Sequence, residues 1–190
     1  MAHKRKLWKQ GQSILDASRL VFLDESGVNT GMTRLYGRAL KHERVKEAVP
    51  DTRFRRTTIL SSVRLDGTTV PFVFEGALNG DTFRAYITQM LAPTLSPGDI
   101  VIMDNFSSHK VSGIVEAIEA VGASVLFLPP YSPDLNPIEL MWSKIKAILR
   151  MLKVRNKELL DDAIALAFDC VSVSDISGWF LHEGYVSTLS

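Results

Sequence analysis

The stretch "PPYSPDLNPIELMWSKIK", residues 129–146, places four prolines in nine positions and then runs into a helical pattern. Asn136 is a good N-cap, Pro137 suits the first helical position, and Glu139 stands three residues after the cap, where a capping-box glutamate belongs. A second role for Glu139 is compatible with that one. The exposed N–H groups and dipole of a first helical turn favour an ionised carboxylate. Four prolines narrow the conformations of the unfolded loop, so little entropy is lost in fixing where the helix begins. The loop therefore aims one carboxylate at a fixed place.

Upstream of this loop lie three short apolar runs of strand length: "RLVFLDES" (19–26), "DIVIMD" (99–104) and "SVLFL" (124–128). Between the first two, "TTILSSVRL" and "TTVPFVF" flank Asp66-Gly67, a two-residue hairpin signal. Pro71 confines the second of these strands to a sheet edge or a bulge. A further short strand is expected near "TRLYGRAL" (33–40). Helical spacing then appears at Phe83, Tyr86, Ile87, Met90 and Leu91, and again at Val111, Ile114, Val115, Ile118 and Val121, with Gly122 as the stop. After the proline-rich loop come a stripe from Ile138 to Leu152, another from Leu159 to Phe168, and a short helix near 174–182. A hairpin followed by helix, strand, helix, strand, helix predicts an α/β fold, a mixed sheet with helices on its faces. Residues 1–18, polar and basic with one Trp, read as a linker or a frayed helix remnant, and 19–190 as one domain.

The bulk composition is globular: 190 residues, 46% hydrophobic and 23% charged. No apolar run is long enough to span a bilayer, and the basic start "MAHKRKLWKQ" lacks the apolar core of a secretory signal. Cys170 stands alone, which excludes an internal disulfide and suits a reducing, cytoplasmic setting. The net charge of +1 hides two basic clusters. One holds Arg34, Arg38, Lys41, Arg44, Lys46, Arg53, Arg55 and Arg56; the other holds Lys144, Lys146, Arg150, Lys153, Arg155 and Lys157. Each alone reads as a solvated face; together they suggest a polarised surface that binds nucleic acid phosphates. Arg34, Arg38, Lys41, Arg53, Arg55, Arg56, Lys144 and Lys146 are the candidate DNA contacts.

Asp24 and Asp104 each follow an apolar strand run, and the carboxyl edge of an α/β sheet is where ligands sit. Either could also be an ordinary turn former. If both converge with Glu139, three like charges repel unless a cation neutralises them. Oxygen donors without a His/Cys cluster point to Mg2+ or Mn2+, and two such ions suit phosphoryl transfer. Glu25 alternates to the opposite face of its strand and is structural or a supporting residue. Asn105 and His109 could contact phosphate or water, His109 equally being a helix-terminus residue. Asp134 reads as a turn former, Trp142 as core, and Trp179 and Phe180 as core or a partner-facing patch.

"FLDE", "IMDNFSSHK" and "PPYSPDLNPIELMW" together resemble the catalytic domain of DDE transposases of the mariner-like superfamily, in its bacterial insertion-sequence-630 group. Thirty-four residues separate Asp104 from Glu139, a spacing typical of that group. The resemblance covers about residues 19–183. It implies a ribonuclease H-like fold on a five-stranded mixed sheet, with Asp24, Asp104 and Glu139 as catalytic acids holding Mg2+ or Mn2+, two ions being expected. It also implies DNA cleavage at transposon ends and attack of the freed 3′-hydroxyl on target DNA, in a bacterial cytoplasm and at the nucleoid. The expected partner is double-stranded DNA; a helix-turn-helix segment, separate or missing, and a homodimer are further partners to consider, a membrane is not. The rival readings are another ribonuclease H-like nuclease, a catalytically inactive DNA-binding relic, and a receiver-like domain, against which the Asp66-Gly67 hairpin argues.

Overall fold

The computed structural model describes residues 2–50, 55–104 and 112–185. Five strands form one mixed sheet: β1 (Leu20–Val28), β2 (Thr57–Arg64), β3 (Phe72–Glu75), β4 (Ile100–Met103) and β5 (Ser124–Phe127), in the order β3-β2-β1-β4-β5. The β3-β2-β1 meander is antiparallel, whereas β4 and β5 run parallel to β1. The hairpin at Asp66-Gly67 forms as the sequence predicts, with Gly67 at φ +97 and the Asp66 carboxylate accepting from the Thr68 N–H at 2.8 Å. Pro71 causes no bulge. The pairing register is the same at Val63–Thr69 as at Leu60–Phe72, and the ladder merely lapses at Pro71, which has no N–H to donate, on edge strand β3.

Helices cover both faces. On one side lie α2 (Gly80–Tyr86), continued as a wider turn over Ile87–Leu91, and α3 (Ile114–Glu119). They bury Phe83, Tyr86, Ile87 and Ile118 against Val21, Leu23 and Leu60. On the other side α4 (Pro137–Leu152), α5 (Lys157–Asp169) and α6 (Val173–His182) pack on Phe22, Ile59 and Ile102. Alternation along the strands divides the two cores: even-numbered residues of β1 face α4 and odd-numbered ones face α2 and α3. Phe180 and Tyr185 close edge-on around Phe22, so Phe180 is core, while Trp179 only packs against its margin. Leu152 and Leu159, expected on apolar stripes, are exposed where helices α4 and α5 end and begin.

One sequence expectation fails here. Residues 29–50 contain no strand at "TRLYGRAL"; they run irregularly between β1 and β2, with Leu35, Tyr36 and Leu40 exposed, so neither core buries an apolar face that would stabilise a strand there. Of the two readings of the N-terminal segment, linker or helix, the helix is the one that forms. Residues Ala2–Gly11 form helix α1, docked by Trp8 Nε1, which donates to the Tyr185 hydroxyl at 3.1 Å. Among the described residues no single helix is long and apolar enough to cross a membrane; only the bent pair α5 and α6 passes by composition, and its apolar side packs on α4.

Candidate active site

Sheet register creates the site. The parallel β1–β4 ladder stops at Leu23–Met103, so Asp24 and Asp104 are the next pair in register, on strands about 4.8 Å apart. Asp24 is not at a strand end, as its sequence suggested. β1 continues to Val28 because β2 keeps pairing with it, and only β4 terminates. Each acid stands two residues after one that faces α4, Asp24 after Phe22 and Asp104 after Ile102. The third acid arrives on α4. Pro137 occupies its first turn, and the Glu139 N–H is taken by the Asn136 backbone oxygen at 3.0 Å. The Asn136 side chain makes no cap bond, so the capping box expected of Glu139 does not form and its carboxylate is not spent on the helix terminus.

Asp24, Asp104 and Glu139 wall one cavity of about 350 Å3, together with Asn136 and the proline-rich loop 129–133. Asp24 is the innermost, 8% exposed. Burial, then the charges of Glu139 and Glu25, raise its pKa well above the ordinary carboxylate range, and Asp104 adds to the push. At Glu139, desolvation raises the pKa, Lys146 draws it back, and Asp104 and Glu25 raise it further. Among the described residues no three acidic, His or Cys side chains gather tightly enough in this arrangement to chelate one ion; the three acids share a cavity rather than a point. Their chemistry nonetheless fits a divalent cation. They are hard oxygen donors whose mutual repulsion is written into the raised pKa values, and a bound cation would reverse that repulsion.

The structure adds three contributors the sequence reading missed. Trp142 is core, 2% exposed, but its Nε1 also donates to Asp24 Oδ2 at 3.3 Å. Its spacing three after Glu139 puts both on one helical face, which was the available signal. Arg5 of α1 grips the proline-rich loop: it donates to Ser132 Oγ at 2.8 Å, to the Tyr131 carbonyl at 3.2 Å and to both Asp134 oxygens at 2.9 and 2.6 Å. Asp134 is thus an ion-pair partner rather than only a turn former. Within the same loop Tyr131 holds φ 55 and is 85% exposed at the cavity rim. No local sequence pattern links Arg5 to Asp134, since 129 positions separate them.

The basic candidates divide. Lys144 is bound to Asp175 at 2.5 Å, Lys153 to Glu47, Lys157 to Glu75, and Arg155 to the carbonyls of Thr30 and Met32 at 2.8 and 2.9 Å. Lys144 therefore serves the α4–α6 contact. Among the described residues that leaves Lys146, Arg150 and Arg155 of the second cluster outside ion pairs, Arg155 being held by carbonyls instead. Lys146 lies two turns after Glu139 on the same face, half-buried; burial lowers its pKa, Glu139 and Asp24 raise it, and Arg150 and Arg56 lower it. These mutual influences place a cationic group beside the acids. The Arg56 guanidinium lies over Gly27, where a Cβ would stand 2.9 Å from its Nε. Arg55 reaches Glu75 only at 3.7 Å, and Arg34, Arg38 and Lys41 are exposed on the 29–50 segment. Glu25 faces α2 and α3, yet its charge acts on both Asp24 and Glu139. Asn105, His109 and Arg53 lie outside the described residues.

A five-stranded sheet in this order, helices on both faces and acids where the parallel ladder ends define a ribonuclease H-like domain. The family model for the DDE superfamily endonuclease matches residues 19–161, and the chain belongs to that family. No curated protein matches it in sequence. Among solved structures it is similar to a pre-cleavage Mos1 transpososome (TM-score 0.76, 14% identity, covering 96% of this chain and 58% of that one). It is also similar to the mariner Mos1 paired-end complex with Mg (TM-score 0.69, 15% identity, 95% and 56% covered). The isolated catalytic domain of Mos1 mariner transposase aligns at TM-score 0.65 and 15% identity, covering 97% of this chain and 91% of that one. The chain thus spans a little over half the length of the first two and nearly all of the third.

Proposed function

We propose that this chain is the catalytic portion of a transposase, cutting DNA strands at transposon ends and joining the freed 3′-hydroxyl to target DNA. The observation that carries the reading is the convergence of Asp24, Asp104 and Glu139 on one cavity, from β1, from the end of β4 and from the first turn of α4. Asp24, Asp104 and Glu139 would hold Mg2+ or Mn2+, two ions being our expectation from the need to serve both entering and leaving oxygens. The cation supplies, when bound, charge neutralisation at phosphorus and a more acidic nucleophile.

In the cleavage step the oxygen of a water bonds to phosphorus, the bond to the 3′ oxygen breaks, and that oxygen departs as a hydroxyl carrying one proton. In strand transfer the 3′-hydroxyl oxygen attacks a target phosphodiester and displaces another 3′ oxygen, so no external energy source is needed. The chain's own groups position these partners. The proline-rich loop, gripped by Arg5, keeps Asn136 and Glu139 in place. Trp142 fixes Asp24. Lys146 offers positive charge beside the acids, with Arg150 and Arg56 near Lys146 in turn, for the phosphates of the scissile strand. Transposon-end and target DNA, an N-terminal helix-turn-helix segment and a second copy of the chain are the partners this reading calls for.

The test is strand nicking of end-containing and scrambled duplexes in Mg2+, by wild type, Asp104→Asn and Glu139→Gln. Wild type should nick both duplexes, with cleavage falling steeply between 50 and 200 mM salt, on the order of a hundredfold for four or five phosphate contacts. Both variants should lose nearly all cleavage. Wild-type rates in either variant would remove that acid from the mechanism.

A further inference from the structure

We propose that Asn136 is a positioning residue of the cation site, its Oδ1 accepting a hydrogen from water held there by the carboxylates; this rests on the metal-dependent reading above. Asn136 is 3% exposed and its Oδ1 is fully buried without a hydrogen-bond partner. It lines the same cavity as Asp24, Asp104 and Glu139. A buried amide oxygen left without a donor is costly, and such groups are rare unless something the protein binds completes them.

The position makes the orphan more telling. Asn136 is the N-cap of α4, where an asparagine side chain ordinarily accepts from the second or third helical N–H. The other three asparagines among the described residues do accept from nearby backbone: Asn29 from Gly31 at 2.8 Å, Asn79 from Thr82 at 2.9 Å and Asn156 from Glu158 at 2.9 Å. Asn136 leaves that work to its backbone oxygen, which takes the Glu139 N–H at 3.0 Å, and Pro137 has no N–H to offer. Its side-chain oxygen is therefore surplus to the helix, on a residue that lines the cavity of the three acids. A neutral amide suits the place. It presents a hard acceptor to a polarised water without adding a fourth negative charge to a cluster that already repels itself.

The two roles predict opposite stability changes. As a cap, Asn136→Ala should lower the melting temperature in chelator. As a water acceptor, it should leave that temperature unchanged or raise it, because an unsatisfied buried oxygen is removed. We therefore measure melting in chelator and Mn2+ affinity by calorimetry for the wild-type chain, Asn136→Ala, Asn136→Ser and Glu139→Gln. Asn136→Ser preserves a strong capping residue should alanine compromise folding, but its hydroxyl is too short to reach the same water. Expected are Mn2+ affinities roughly tenfold weaker in both Asn136 variants, the lower part of the range for partners of metal ligands, with undiminished melting in chelator. Unchanged Mn2+ affinity in the Asn136 variants, with Glu139→Gln weakened, would overturn the role of Asn136 and leave the metal site standing. Failure of the wild-type chain itself to bind Mn2+ would overturn both.

Discussion

Removing the indole N–H that Trp142 gives to Asp24 should both destabilise the fold and loosen the innermost acid. In Trp142→Phe the phenyl ring keeps most of the contact with Phe168, whose ring meets the indole edge-on at 6.3 Å. The smaller ring leaves roughly 40 Å3 unfilled, which at about 24 cal/mol per Å3 costs about 1 kcal/mol. The lost hydrogen bond costs more. A bond to a charged group contributes about 1.5–3 kcal/mol, and its 3.3 Å length puts this one at the lower end. The sum is about 2.5 kcal/mol, a sizeable share of the 5–15 kcal/mol typical of a domain. Urea unfolding in chelator, at a pH high enough to ionise Asp24, would measure it, and a cycle with Asp24→Ala separates the two contributions. The charge relief from deleting Asp24 appears in both the single and the double variant and cancels. The double variant should then lie about 1.5 kcal/mol above the additive expectation. Additivity to within about 0.3 kcal/mol would refute the claim that Trp142 holds Asp24.

Glu139→Gln should abolish Mg2+-dependent nicking while melting in chelator stays level or rises, because desolvation and the Asp104 and Glu25 charges already oppose its ionised form; a marked fall in melting temperature would contradict that electrostatic picture. Lys144 and Ser172 hold Asp175 down to about 2, so its contribution is complete above about pH 4 and is lost as pH falls toward 2. Asp175→Asn should cost about 0.5–1 kcal/mol at pH 7 and nothing near pH 2, as read from urea midpoints at the two pH values. Arg5→Ala should lower stability only modestly, since the partners are partly solvated, yet should raise protease sensitivity within 129–136; equal digestion of variant and wild type would show that α1 does not brace the loop. Replacing Lys146 and Arg56 together should lower the slope of log K for DNA against log salt by about 1–2, whereas replacing Lys144 should leave it unchanged.

Much of this protein was legible in order along the chain because the physical causes are local. Alternation and apolar runs mark β1, β2, β4 and β5, Asp66-Gly67 dictates the hairpin, and the proline-rich loop with Asn136 and Pro137 announces where α4 begins. Two of the three acids stand at boundaries that local patterning marks, Asp104 just after β4 and Glu139 in the first turn of α4, whereas Asp24 lies inside β1. What tertiary structure decided was which groups meet. Asp24 and Asp104 are neighbours because β4 stops pairing with β1 at Met103, and no local signal states that register. Asn136 turned out to be a cap by backbone alone, Trp142 a donor as well as a core residue, and Arg5 the brace of a loop 129 residues away. The basic clusters show the difference most plainly. Sequence reads every Lys and Arg as a free charge, while folding brings Asp175, Glu47 and Glu75 to Lys144, Lys153 and Lys157 and leaves Lys146 beside the acids. Local preference depends on a few neighbouring residues, but charge pairing depends on distance in space, which only the closed fold determines.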